Sequence, residues 1–206
     1  MASAVAFSKK DVMRHYDAIA GMYSESHNRS YYRWRRDKVL EFADLGGKTL
    51  LDVGCGSGTF LNDGLVSGST RIAVGLDISG KILGHAAKNS KKAFFVQGDS
   101  ESLPFGGRSF DVVTSLDALE HTPDPLKSLD ELCRVSKGKI VVATPNAAIA
   151  DPVFAFLEAF RLKMPEGKHA MVGRNEILKR LERNGWKART STVALGLCIV
   201  YLAERA

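Results

Sequence analysis

Apolar residues in this chain recur with two alternating periods. Mostly apolar runs at 50–53, 71–77, Ala93–Gln97 and Phe110–Leu116 have the length and branching of strands. Helical spacing separates them. The stretch 81–92 places Ile82, Leu83, Ala86 and Ala87 on one side, with Lys88, Lys91 and Lys92 at its end, where cations suit the helix dipole. Thr122-Pro123-Asp124-Pro125 carries proline and acid where a helix starts, and Leu126, Leu129, Leu132 and Val135 continue that helix toward a fifth strand at 139–143. Strand alternating with helix predicts a doubly wound, mostly parallel α/β sheet.

The flanks depart from this rhythm. Residues 9–43 read as helical, with Tyr16 and Ile19 on one face, and residues 60–66 as a short crossover helix ended by Ser67-Gly68-Ser69. An insertion at 145–173 contains an apolar helix at 153–160 and a flexible loop, Glu166-Gly167-Lys168-His169. A helix at 175–183 stops at Asn184-Gly185, and strands at Trp186–Val193 and 197–203 form a final hairpin through Ala194-Leu195-Gly196. With no repeat or low-complexity segment, residues 1–206 read as a single domain.

Chemistry enters at Leu50-Leu51-Asp52-Val53-Gly54-Cys55-Gly56-Ser57-Gly58-Thr59-Phe60, where an apolar strand gives way to glycine at alternate positions. A strand turning straight into a helix needs backbone angles that side chains forbid, and a ligand lying on the turn needs the Cβ atoms absent. Amides at a helix N-terminus attract negative groups, so this is a nucleotide-type loop. Thr59 stands near the place of the third glycine of the dinucleotide fingerprint, which weighs against an NAD-binding oxidoreductase. About twenty residues on, the second strand ends in Asp77, an acid placed to accept from both ribose hydroxyls.

The succession LLDVGCGSGTF, GLDIS, QGDSESLPF and FDVVTSLDALEH resembles the class I S-adenosylmethionine-dependent methyltransferases, and most closely the small-molecule subgroup with the quinone-biosynthesis enzymes. The likeness spans roughly residues 10–145. It implies a Rossmann-like, mostly parallel seven-stranded sheet with a C-terminal antiparallel hairpin, and S-adenosyl-L-methionine as cofactor. The cofactor is then expected against Asp52, Gly54, Cys55, Gly56 and Gly58, at Asp77 and Ile78, at Asp99 and Ser100 beside the adenine amino group, and at Leu116 and Asp117 beside the methionine half. Tyr23 in a helical N-terminal cover (1–43) and Arg36, reaching the cofactor carboxylate, complete the implied set; Arg33 and Arg35 are close alternatives to Arg36. Residues 145–173 correspond to the family's substrate cover.

Methyl transfer from a sulfonium is an in-line displacement, and the protein's part is to align and to exclude water. A base is needed only where the acceptor must lose a proton; His121 and His169 are the candidates, with Glu120 or Asp117 to orient or polarise. No metal is expected, since the spacing of these groups matches no established ligand motif. The expected partner is a small organic methyl acceptor with an O-, C- or N-nucleophile, and the expected assembly a monomer or homodimer. A non-catalytic SAM-binding subunit and an RNA methyltransferase are the competing readings.

Bulk properties narrow these only slightly. The net charge of +6 would suit an acidic partner, but Lys and Arg are scattered, with Arg33-Trp34-Arg35-Arg36 the one dense cluster, so nucleic acid is not the expected partner. Leu116-Asp117-Ala118-Leu119 replaces the Asn/Asp-Pro-Pro-aromatic motif of amino-directed nucleic-acid methyltransferases. Three separated cysteines, Cys55, Cys133 and Cys198, without a transmembrane run, lead to the expectation of a cytoplasmic protein with reduced thiols.

Overall fold

The computed structural model describes residues 7–23, 29–62, 70–90, 92–149 and 170–205, with side chains described for all of these except 22–23 and 29–34. Seven strands form one sheet: β1 (Thr49–Val53), β2 (Ile72–Asp77), β3 (Ala93–Gln97), β4 (Phe110–Leu116), β5 (Ser136–Pro145), β6 (Trp186–Val193) and β7 (Cys198–Arg205). Their order is β3-β2-β1-β4-β5-β7-β6. The first five run parallel, whereas β7 lies antiparallel between β5 and β6. This is the expected doubly wound sheet with a terminal antiparallel hairpin.

Because successive side chains on a strand face opposite ways, each central strand feeds two cores. Leu51, Val53, Val113, Ile140, Val142 and Tyr201 point into one, which also takes Leu129, Leu132, Ile177 and Leu181 from α4 (Pro125–Val135) and α5 (Arg174–Arg183). Leu50, Val112, Val141, Val200 and Leu202 point into the other, closed by Val39, Phe42 and Ala43 of α2 (Arg29–Ala43) and Leu83 of α3 (Gly80–Asn89). Arg180 fastens α5 to α4 with a two-pronged bond to Asp130, Nε at 2.7 Å and Nη2 at 2.5 Å.

Local chemistry sets the helix ends. Ser8 and Asp11 form a reciprocal capping box before α1 (Lys9–Tyr23), the serine N–H and hydroxyl both donating to Asp11 Oδ2. Asp124 caps α4 by accepting from the Lys127 amide, with Pro125 in the first turn, as the sequence predicts. The helix expected over 81–92 is shorter. Ser90 turns extended after closing its N–H on Ala86, so Lys88 alone of the three lysines falls in the last turn; Lys91 lies outside the described residues. The fifth strand is longer than 139–143, because both neighbours continue the ladder: Ser136 pairs with Phe110 of β4, and Pro145 with Cys198 of β7. Phe60, Leu61 and Asn62 form a turn, and the remainder of the expected 60–66 helix lies outside the described residues, as do Phe154, Phe156 and Phe160 of the insertion. Among the described residues, no helix is long and apolar enough to cross a membrane.

Candidate active site

The strand order reverses between β1 and β4, and the chain leaves both strands at the same edge of the sheet; such a switch point opens a crevice at the carboxyl ends of the strands. Here the crevice is a cavity of about 660 Å³, lined by residues following β1, β2, β3 and β4 and by one face of α1.

The loop after β1 is held hard against its neighbours. Gly54 and Cys55 both donate their N–H to Leu76 O, at 2.7 and 3.0 Å. Gly54 has φ +74°, and a Cβ there would lie 2.3 Å from the Ala118 methyl, so neither the angle nor the space admits a side chain. Asp77, at the tip of β2, accepts from Gly56 N at Oδ2 and from Ser79 N at Oδ1, both at 2.9 Å. Burial pushes its carboxyl pKa up, and these amides pull it back. The Ile78 amide also acts on this carboxylate, and its two oxygens, with about four lone-pair sites, keep acceptor capacity for a donor in the cavity.

Past β3, Asp99 accepts the Glu101 amide at Oδ1, and Glu101 accepts the Asp124 amide at 2.9 Å. Lys9 of α1 reaches across to both carboxylates, 2.5 Å from Asp99 Oδ2 and 2.8 Å from Glu101 Oε2. Seven residues along the same helix, Tyr16 meets His121 edge to face, with ring centroids 5.6 Å apart. Both rings line the cavity, together with the apolar Val53, Leu76, Ile78 and Leu119.

Beneath the cavity lies a buried polar layer. Thr114 donates to Asp52 Oδ1 at 2.7 Å. Burial raises the Asp52 carboxyl to about 7, against the pull of that hydrogen bond and of the Arg35 guanidinium. Arg35, itself buried, forms an ion pair with Asp117, whose left-handed backbone (φ +52°) turns the chain out of β4. Burial also drives the Cys55 thiol well above its ordinary pKa.

The residues expected at the site divide into three groups. Gly54, Asp77, Ile78, Asp99, Ser100, Asp117 and His121 line the one cavity. Asp52, Cys55, Gly56, Gly58 and Leu116 stand behind that lining. Asp52 and Gly56 act through Thr114 and Asp77, the Cys55 thiol lies close under Gly75, and Leu116 packs against the apolar core. Glu120 turns away: on the single turn Leu119–His121 neighbouring side chains diverge, so Glu120 lines a separate cavity of about 280 Å³ with Thr144 and Met171. Arg36 pairs with Asp37 next to it, and Arg35 instead occupies the buried position. The side chain of Tyr23 and all of His169 lie outside the described residues. Three participants escape the sequence reading: Lys9, Asp17, which accepts from the Ser79 hydroxyl, and Thr114. Among the described residues, no group of three or more His, Cys, Asp or Glu side chains is arranged to hold a metal ion.

Comparison with known proteins places these features in context. Residues 51–143 match the family model described as a methyltransferase domain. The ubiquinone biosynthesis O-methyltransferase of Aliivibrio fischeri (strain MJ11) is 33% identical over 171 residues, covering 77% of this chain and 72% of that protein. The demethylmenaquinone methyltransferase of Renibacterium salmoninarum is 36% identical over 135 residues, covering 65% of this chain and 55% of that protein. Among solved structures, magnesium protoporphyrin IX methyltransferase from Synechocystis PCC 6803 with bound SAM superposes with TM-score 0.75 at 18% identity, covering 99% of this chain and 100% of that one. The [4+2]-cyclase SpnF superposes with TM-score 0.76, also at 18% identity, covering 98% and 97%. A cyclase on the same scaffold shows that the fold alone does not fix the chemistry. The relative at one-third identity over most of both chains does establish kinship, and this chain belongs to the S-adenosylmethionine-dependent methyltransferase family.

Proposed function

We propose that the chain transfers the methyl group of S-adenosylmethionine to a small organic acceptor of the phenol or quinol class. The observation that carries this reading is the convergence on one cavity of two acids at or just past strand ends, Asp77 and Asp99, with a titratable ring, His121, in the same lining. The donor set suits the cofactor. Asp77 retains acceptor capacity for the ribose hydroxyls, Asp99 is the cavity carboxylate that an exocyclic amine would reach, and Val53, Leu76 and Ile78 offer apolar surface to a flat base. The amino-acid end falls to the region of Ser115 and Asp117, with Arg35 behind it; Arg36 is not the cation nearest that end.

The bound cofactor supplies an activated methyl on a sulfonium. The chain aligns and dries the site and, for a phenolic acceptor, removes a proton. His121 is the group in reach for the last task, with Tyr16 fixing the plane of its ring. Glu120, buried beside a different cavity, fits a supporting role better than contact with the acceptor. In this reading the chain works as one domain, with residues 1–43 and 145–173 covering the methyl group. The relatives that are named for ubiquinone and menaquinone methylation support a quinol-like acceptor.

The test is a methyl-transfer screen with labelled S-adenosylmethionine against catechols, quinol precursors, amines, carboxylic acids and RNA, alongside calorimetry with S-adenosylhomocysteine. Expected are binding of the product and turnover of at least one phenolic acceptor. Turnover of RNA alone would replace the acceptor class, and tighter binding of NAD than of either adenosyl ligand would overturn the reading.

A further inference from the structure

Helix α1 lies across the cavity mouth and presents Lys9, Val12 and Tyr16 to it from one face. It is fastened at three places, each on a residue of the candidate site or one step removed. Tyr16 meets His121. Asp17 accepts from the Ser79 hydroxyl at 2.5 Å and from Lys81 N at 3.4 Å, and Ser79 in turn donates its N–H to Asp77. Lys9 spans Asp99 and Glu101.

The Lys9 contact differs in kind from the others. Asp99 Oδ1 is taken by the Glu101 amide and Oδ2 by the Lys9 ammonium, so both oxygens of this cavity carboxylate are engaged from within the chain. Two carboxylates share this stretch of wall, and without a cation between them they would repel at close range. A neutral N–H arriving from a ligand ring must share Oδ2 with a full positive charge, and a charge-assisted donor is the stronger of the two.

We propose that Lys9 is an internal latch that competes with the cofactor's exocyclic amine for the Asp99 carboxylate, fastens α1 to the cavity wall through it, and is displaced when that amine binds. The inference rests on the adenosyl reading above. Lys9 thereby opposes cofactor entry, and its release frees the first turn of α1 at the moment the site fills, coupling occupancy to the cover.

The test compares wild type with Lys9→Met, which keeps the stem and removes the charge, and with Lys9→Arg, which restores it. Without ligand, amide exchange in α1 should quicken in Lys9→Met and return toward wild type in Lys9→Arg. S-adenosylhomocysteine should bind Lys9→Met more tightly, by about twofold to fivefold, the scale of a part-exposed ion pair. The purine analogue of S-adenosylhomocysteine that lacks the exocyclic amine has no base N–H to give Asp99 and should show no such gain. Weaker binding of S-adenosylhomocysteine by Lys9→Met would make Lys9 a ligand-holding residue and overturn the latch. Unchanged affinity with unchanged exchange, or an equal gain for both ligands, would overturn it too. Failure of the wild type to bind S-adenosylhomocysteine at all would instead sink the cofactor assignment, whatever α1 does.

Discussion

Thr114 and Asp52 face each other across the β1–β4 seam, hydroxyl to carboxylate at 2.7 Å, and neither side chain has appreciable contact with solvent. The pairing sits directly below the point where the strand order reverses. It puts an acid with a pKa of about 7 under the glycine loop.

That acid should make stability depend on pH. Unfolded, Asp52 ionises near its ordinary value of 3.8; folded, it holds its proton until about 7. Between those values the native state binds a proton that the unfolded chain has lost, so this group's contribution makes stability fall as pH rises, levelling off above about 7. The loss is on the order of a few kcal/mol. Asp52→Asn keeps an acceptor for Thr114 and should flatten this slope. Chemical denaturation of both proteins at pH 5 and pH 8 checks it; parallel pH dependence in the two would remove the assignment.

Asp77 is expected to govern affinity for the adenosyl ligand. Asp77→Ala deletes the acceptor for ribose and leaves the Gly56 and Ser79 amides without their partner. S-adenosylhomocysteine should bind on the order of a hundredfold more weakly, from a few kcal/mol of lost charged hydrogen bonds. Calorimetry on a folded variant with wild-type affinity would refute the role.

For His121, rate and binding should separate. With a phenolic acceptor, His121→Asn should lower kcat by about 10²–10⁴, the usual worth of a positioned base, with little effect on cofactor affinity. The loss should be smaller with an acceptor presented as its phenolate at high pH. A variant that loses cofactor affinity and keeps kcat would reduce His121 to a wall of the cavity.

Gly54→Ala should destabilise the fold by about 2–4 kcal/mol, combining a left-handed backbone with an overlap on Ala118. Adding Ala118→Gly should recover the overlap and leave the backbone strain. Thermal melts of the two single variants and the double variant separate these parts.

How far the sequence reveals this arrangement depends on how local each cause is. The third and fourth strands are legible to the residue, because each mostly apolar run lies between polar or glycine positions. The acids at strand tips are legible because the sheet delivers every parallel strand to the same edge. The choice between Arg35 and Arg36 is not local: Arg35 lies four residues before Val39 and seven before Phe42, Arg36 three before Val39 and seven before Ala43, all buried, so helical spacing favours neither. Glu120 and His121 are adjacent in sequence, and only the single turn they sit on sends them to different cavities. The Lys9–Asp99 contact joins positions 90 apart, and no local pattern announces it.

The placement of β7 inside β6 has a consequence for synthesis. Strand β6 is made first, yet among the described residues it pairs only with β7, which is made after it. Until residues 198–205 emerge from the ribosome, β6 has no neighbour to join, and the open side of β5, with Val141 and Val142, stays without a partner. An unpaired apolar edge is a template for unwanted pairing. The antiparallel hairpin can therefore join the sheet only after β7 has emerged. Ribosome-bound chains arrested at residue 193 should remain protease-sensitive through β5, and chains extended past residue 205 by a linker should not.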